Sequence, residues 1–137
     1  MKDYTDQARQ VFQQDRYATE LTGIDIDFAG EHESRCTLAL GPQHRNARGV
    51  VMGGVLFTLA DFAAAIAANS ECMDNELQWV SLNASIHYLS PALGERLVAH
   101  CTSVKHGRST ALYRTTIENP DNGNKTVAVV ETTMIHI

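Results

Sequence analysis

Apolar positions along the chain switch their spacing repeatedly, and each switch predicts an element. Ala8, Val11 and Phe12 recur at helical spacing, which predicts a helix over 3–18 within an N-terminal helical segment 1–20. Gly23 breaks that pattern. Ile24, Ile26 and Phe28 then alternate with polar residues, as do Cys36, Leu38 and Leu40 beyond a polar turn at 30–33, so two strands are expected. Gly41-Pro42 ends the second, and residues 42–49 read as a polar loop. Residues 50–68, VVMGGVLFTLADFAAAIAA, form a mostly apolar run whose one charge is Asp61. The run is rich in alanine and leucine and too long for a strand, so it predicts a helix, placed at 53–70, with Gly53-Gly54 at its start and Asn69-Ser70 closing it. From Trp79 the period becomes two. Val80, Leu82, Ala84, Ile86 and Tyr88 are expected on one face, and Ser81, Asn83, Ser85 and His87 on the other. Strands are also expected at 96–105, 109–118 and 125–136, separated by Lys105-His106-Gly107 and by Asn119-Pro120-Asp121-Asn122-Gly123.

Short turns make the later strands antiparallel neighbours. A helix that is apolar on nearly every side cannot face water. Wrapping the antiparallel sheet around it satisfies both conditions, which predicts an α+β architecture. A membrane span fits worse, because two glycines and a central carboxylate suit lipid badly. The length of 137 residues and the absence of repeats or linkers predict a single domain over 1–137. A formal charge of −5 removes the basic footprint expected of a nucleic-acid binder. Cys36, Cys72 and Cys101 are odd in number and far apart, which argues against a disulfide framework and fits a reducing, cytoplasmic setting.

Asp61 carries the first chemical suggestion. An aspartate among apolar and small helical neighbours, Phe57, Thr58, Ala64 and Ala65, satisfies itself on local donors, faces a wet cleft without a role, or serves as a partly desolvated general base. Gly53-Gly54 carries the second. A helix N-terminus offers unpaired N–H groups and partial positive charge, and glycine admits a ligand close to them, as an oxyanion hole requires. Eight residues of helix separate Gly53 from Asp61, about 12 Å at roughly 1.5 Å per residue. One helix does not bring both groups onto one carbonyl, so two copies sharing a site are expected.

The spacing Asn46-x-x-Gly49-x-x-Met52-Gly53-Gly54, followed by Leu56-Phe57-Thr58-Leu59-Ala60-Asp61, resembles the hotdog-fold acyl-CoA thioesterases of the phenylacetate-degradation type. The segment from Ser81 to Ala92, Gly94-Glu95 and Gly107-Arg108 extend the resemblance across residues 20–137. It implies a five- or six-stranded antiparallel sheet wrapped around one long central helix. It also implies a homodimer, often a dimer of dimers, with the site at the subunit interface. The Gly53 N–H would then bind the thioester carbonyl, with Asn46 beside it. Asp61 of the other subunit would activate water or attack directly, and Ser81 would support the acid. Met52 and Gly54 would adjoin the substrate. Gly107 and Arg108 would hold the nucleotide part of coenzyme A, which belongs to the substrate, so no cofactor is implied.

Methionine at 52 departs from the family, which usually has histidine before the two glycines. A thioether is only a weak acceptor, so a copy that binds acyl-CoA without hydrolysing it is the alternative reading. A hotdog dehydratase is a third, weakened by the same missing histidine. The six histidines show no i, i+4 pair, so no metal site is expected. His44 reads as a solvated loop residue, and Cys72 lacks the paired histidine a nucleophile needs.

Overall fold

The computed structural model describes residues 2–137. Helix α1 spans Thr5–Phe12, followed by a single π-helical turn, Tyr17–Thr22. Strands β1 (Ile24–Gly30) and β2 (Glu33–Ala39) precede helix α2 (Gly53–Ala68). Strands β3 (Trp79–Tyr88), β4 (Arg96–His106), β5 (Thr110–Asn119) and β6 (Lys125–His136) complete the chain. All six strands form one antiparallel sheet in the order β1-β2-β4-β5-β6-β3. Helix α2 lies against all six. This is the hotdog fold.

The expected N-terminal helix is broken in two. Its apolar stripe ends at Phe12, whose ring meets Phe62 of α2 edge-on at 5.9 Å. The next four residues, Gln13 to Arg16, are exposed and polar, so nothing holds a continuing helix to the sheet. The chain regains the core at Ala18 and Thr22, and Gly23 ends the turn at φ 91°, a left-handed conformation suited to glycine.

Helix α2 starts at Gly53, not at the first apolar residue, because Val51 pairs with Arg45 and closes the preceding loop. Its other end is welded to β3 by Asn69, which is fully buried. The Asn69 Nδ2 donates to the Ala65 and Trp79 carbonyls, and Oδ1 accepts from the Gln78 and Trp79 amides. These bonds satisfy backbone groups that the helix end and strand start would otherwise leave unpaired. Helix α2 buries Leu56, Leu59, Phe62, Ile66 and its alanines, yet it is not enclosed on every side. A stripe at helical spacing, Gly54, Phe57 and Asp61, remains exposed. Among the described residues no helix is long and apolar enough to cross a membrane.

Strand β3 departs from simple alternation. Its pairing with β6 shifts between Ser81 and Asn83, so Leu82 is an extra, bulged residue. The bulge reverses which residues face inward. Trp79 and Ser81 face the helix before it, and Ala84 and Ile86 pack on the core after it. Val80 and Leu82 are left exposed on a strand that also forms one edge of the sheet.

Candidate active site

Ser81 and Asp61 are the two predicted site residues that meet within one chain. The inward turn of Ser81 lets its Oγ donate to Asp61 Oδ1 at 3.1 Å, and Oγ also lies 3.5 Å from the Met134 sulfur. One carboxylate oxygen is thus held, and the side chain stays on the exposed stripe of α2. In the single chain Asp61 is exposed, because the stripe opens away from the sheet. Asp61 lines a cavity of about 290 Å³ with Asp15, Arg16, Tyr17, Thr58 and Phe62. Asp15 keeps an exposed edge, yet partial burial first, and the Asp61 charge second, raise its carboxyl above the ordinary value.

Gly53 opens onto a different cavity, of about 440 Å³, with apolar walls from Val50, Val51, Leu56 and Leu89 and with Tyr88 at its edge. A methyl group placed on Gly53 would sit 2.9 Å from the Tyr88 hydroxyl and 2.9 Å from its ring carbon Cζ, so a side chain there fits only if the exposed Tyr88 ring moves aside. Gly54 meets no such neighbour. It lines a third cavity, about 220 Å³, together with Met52, Tyr17, Leu21 and His44. The Met52 side chain therefore lies with the π-helical turn, apart from the cavity at Gly53.

Asn46 is engaged as a loop organiser. Its Oδ1 accepts from the Arg48 and Val50 amides at 2.9 and 3.2 Å, while Gly49 takes φ 81° to close the turn. His44 is buried, contrary to the solvated loop residue expected. Its Nδ1 accepts from the Gly41 amide and its Nε2 contacts the Thr22 carbonyl at 2.7 Å, which straps the loop to the N-terminal segment. Gly107 sits in the β4–β5 hairpin, where a Cβ would come within 2.7 Å of the Thr110 carbonyl oxygen. Gly107 and Arg108 line a cavity of about 620 Å³ that also holds Lys105, Leu112 and Thr133. Leu112 and Thr133 pair beside Ala111 and Met134, whose side chains are buried beneath the sheet. The cationic hairpin therefore opens onto the sheet face opposite Asp61.

The folded chain also gathers groups that sequence spacing does not relate. Glu31, His32 and Glu71 lie within 4.8 Å of one another beyond the far end of α2. Lys2 pairs with Glu31, and the Tyr113 hydroxyl lies 3.1 Å from His32 Nδ1. Burial pushes the Cys36 and Cys101 thiols up, which removes them as nucleophiles. Asp15 and Tyr88 are the residues near the site that sequence reasoning missed. Asp15 follows a helical stripe with no apolar pattern of its own, and Tyr88 reads as one more alternating strand position.

The thioesterase superfamily model matches residues 48–126, from the loop before α2 into β6. The acyl-coenzyme A thioesterase PaaI of Escherichia coli K12 is 32% identical over 123 residues, covering 89% of this chain and 83% of the relative. The mouse acyl-coenzyme A thioesterase 13 is 28% identical, covering 75% and 73%. A relative from Archaeoglobus fulgidus is 33% identical over 108 residues, and the match spans 66% of its length. The solved structure of the E. coli PaaI protein from the phenylacetic acid degradation operon superposes with a TM-score of 0.82 at 27% identity, covering 97% of this chain and 95% of that one. The match centres on the helix and strands that carry Gly53, Asp61 and Ser81. This chain accordingly belongs to the thioesterase superfamily, as a hotdog-fold thioester hydrolase.

Proposed function

We propose that the chain hydrolyses acyl-coenzyme A, with an aromatic or short to medium acyl group, as a homodimer whose site combines Gly53 of one copy with Asp61 of the other. The observation that carries this reading is the placement of Asp61: exposed, held at one oxygen by Ser81, and in a different cavity from Gly53. Eight helical residues hold the two groups about 12 Å apart in a single chain, too far to act on one carbonyl. The β3 edge supports pairing of copies. It is ten residues long, unpaired on one side, and presents Val80 and Leu82 to solvent.

In this mechanism the free oxygen of Asp61 takes a proton from water, or attacks the thioester directly. The Gly53 N–H receives the charge that develops on the carbonyl oxygen. Ser81 keeps the acid aimed. Asn46, whose amide nitrogen is not used in the loop, stands beside the thioester, and Met52 and Gly54 adjoin the substrate from the neighbouring cavity at the π-helical turn. Arg108 and Lys105 attract the phosphates of coenzyme A over the outer face of the sheet, and Gly107 permits the tight hairpin that presents them. Hydrolysis changes no oxidation state, so this mechanism uses no redox cofactor. Packing of two dimers gives the tetramer implied by the family resemblance. Three free thiols support a cytoplasmic setting.

Thiol release from a panel of acyl-CoA substrates tests the assignment. Asp61→Ala is expected to lower kcat by about 10²- to 10⁴-fold, the usual contribution of a positioned proton acceptor. Equal turnover by both proteins overturns the role of Asp61. Coenzyme A binding without thiol release across the panel points instead to the acyl-CoA-binding reading raised by Met52.

A further inference from the structure

We propose that the Tyr88 hydroxyl is a second hydrogen-bond donor to the thioester carbonyl, acting together with the Gly53 N–H. The inference rests on the hydrolase reading above. Tyr88 ends β3, paired with Ala128 of β6, and the next residue, Leu89, donates its amide to the Val127 carbonyl. A paired strand end holds the ring more firmly than a loop would. Ala84 and Ile86, two and four residues back, pack on the core, so Tyr88 shares their inward side. Its phenol reaches over the first turn of α2 against Gly53. The Tyr113 hydroxyl is engaged inside the chain by His106 and His32, whereas the Tyr88 hydroxyl stands at the edge of the Gly53 cavity.

The distances suit one shared acceptor. A Cβ on Gly53 would lie 2.9 Å from the Tyr88 hydroxyl oxygen and about 2.5 Å from the Gly53 nitrogen, so the two donors stand at most about 5.4 Å apart. Two donors that each bond one oxygen at ordinary length can be separated by up to about 5.8 Å. The Gly53 N–H is one of the groups that a helix start leaves without an internal partner. Val50, Val51, Leu56 and Leu89 line the approach with apolar surface; Val50, Leu89 and Tyr88 are exposed in the single chain, so both bonds strengthen only once the second copy covers them.

The step balances as follows. The oxygen of water bonds to the carbonyl carbon while its proton passes to the carboxylate of Asp61 from the second copy. The carbonyl electron pair moves onto oxygen, where the Gly53 N–H and Tyr88 O–H hold it. It returns as the carbon–sulfur bond breaks, and the leaving thiolate takes the proton.

Tyr88→Phe removes the hydroxyl and keeps the ring. It is expected to lower kcat by about 10- to 100-fold with KM changed less than about twofold, because the bond strengthens as charge develops. An unchanged kcat, or a loss confined to KM, overturns the proposal. A ketone analogue of acyl-CoA, with carbon-13 at the carbonyl, gives a readout that needs no turnover. Its resonance should move downfield on binding the wild-type protein and move back toward the free position in Tyr88→Phe. Identical shifts in the two proteins overturn the proposal. A wild-type protein that releases no thiol from any acyl-CoA overturns the hydrolase reading by itself, and the carbonyl resonance then decides whether Tyr88 still binds the carbonyl.

Discussion

Asp15 shows how a single side chain acquires character from its surroundings. It shares a cavity with Asp61, and burial together with that second charge holds its carboxyl above the ordinary 3.8. Protonation is therefore more favourable in the folded state than in the unfolded one. As pH rises, the unfolded chain ionises first, so stability falls from 3.8 upward and stays reduced at neutral pH. Asparagine imitates the protonated acid. Asp15→Asn should melt at a higher temperature than wild type at pH 7, with the difference closing below pH 3.8. Matching melting curves at both values would remove the charge of Asp15 as a source of strain. Nothing in the local sequence announces this pairing, because Asp15 and Asp61 lie 46 residues apart.

At the scale of elements, the ends of β3, β4 and β6 and the β1–β2 turn converge on a cluster of rings. His32 and His106 stack with centroids 3.9 Å apart, and Trp79 lies 4.5 Å from His106. The Tyr113 hydroxyl contacts His106 Nδ1 at 2.7 Å. Burial first, and the neighbouring His32 second, hold the His106 imidazole below its ordinary 6.5. The unfolded chain thus takes up the proton first as pH falls, and stability is lost below 6.5. Wild type should show a falling melting temperature between pH 7 and 5, and His106→Phe, which keeps a ring in the stack, should show a shallower fall. Parallel falls would place the sensitivity elsewhere. Element types were legible from apolar spacing, and the turn residues marked most boundaries well. The β3 bulge was not legible, since alternation of Val80, Leu82, Ala84 and Ile86 reads as a regular strand. One inserted residue reverses the faces, and that reversal carries Ser81 to Asp61.

At the scale of the whole molecule, the candidate site is divided among separate cavities, and the proposed dimer reunites it. Complementation checks this directly. Gly53→Ala places a methyl group where the Tyr88 ring lies and displaces it, and Asp61→Ala removes the acid. Each variant alone should be strongly impaired, the first because its methyl group crowds the carbonyl position and the second because the proton acceptor is gone. Co-expressed in equal amounts, random pairing makes half of the dimers mixed, each with one intact site, so activity should return to about a quarter of wild type. Failure to recover any activity from demonstrably mixed dimers would place both groups in one chain's site.

The sequence by itself determined the architecture and the chemistry available. Periodicity is a local property, so the long apolar helix, the antiparallel strands and the acid and glycines on that helix all follow from short windows of residues. Only the tertiary structure decided that Asp61 is exposed, that Ser81 turns toward it, and that Met52 and Gly53 face different cavities. Those outcomes depend on a bulge, on which stripe of α2 the sheet leaves uncovered, and on side chains brought together from distant parts of the chain. No spacing rule contains them, because they arise from how completed elements pack.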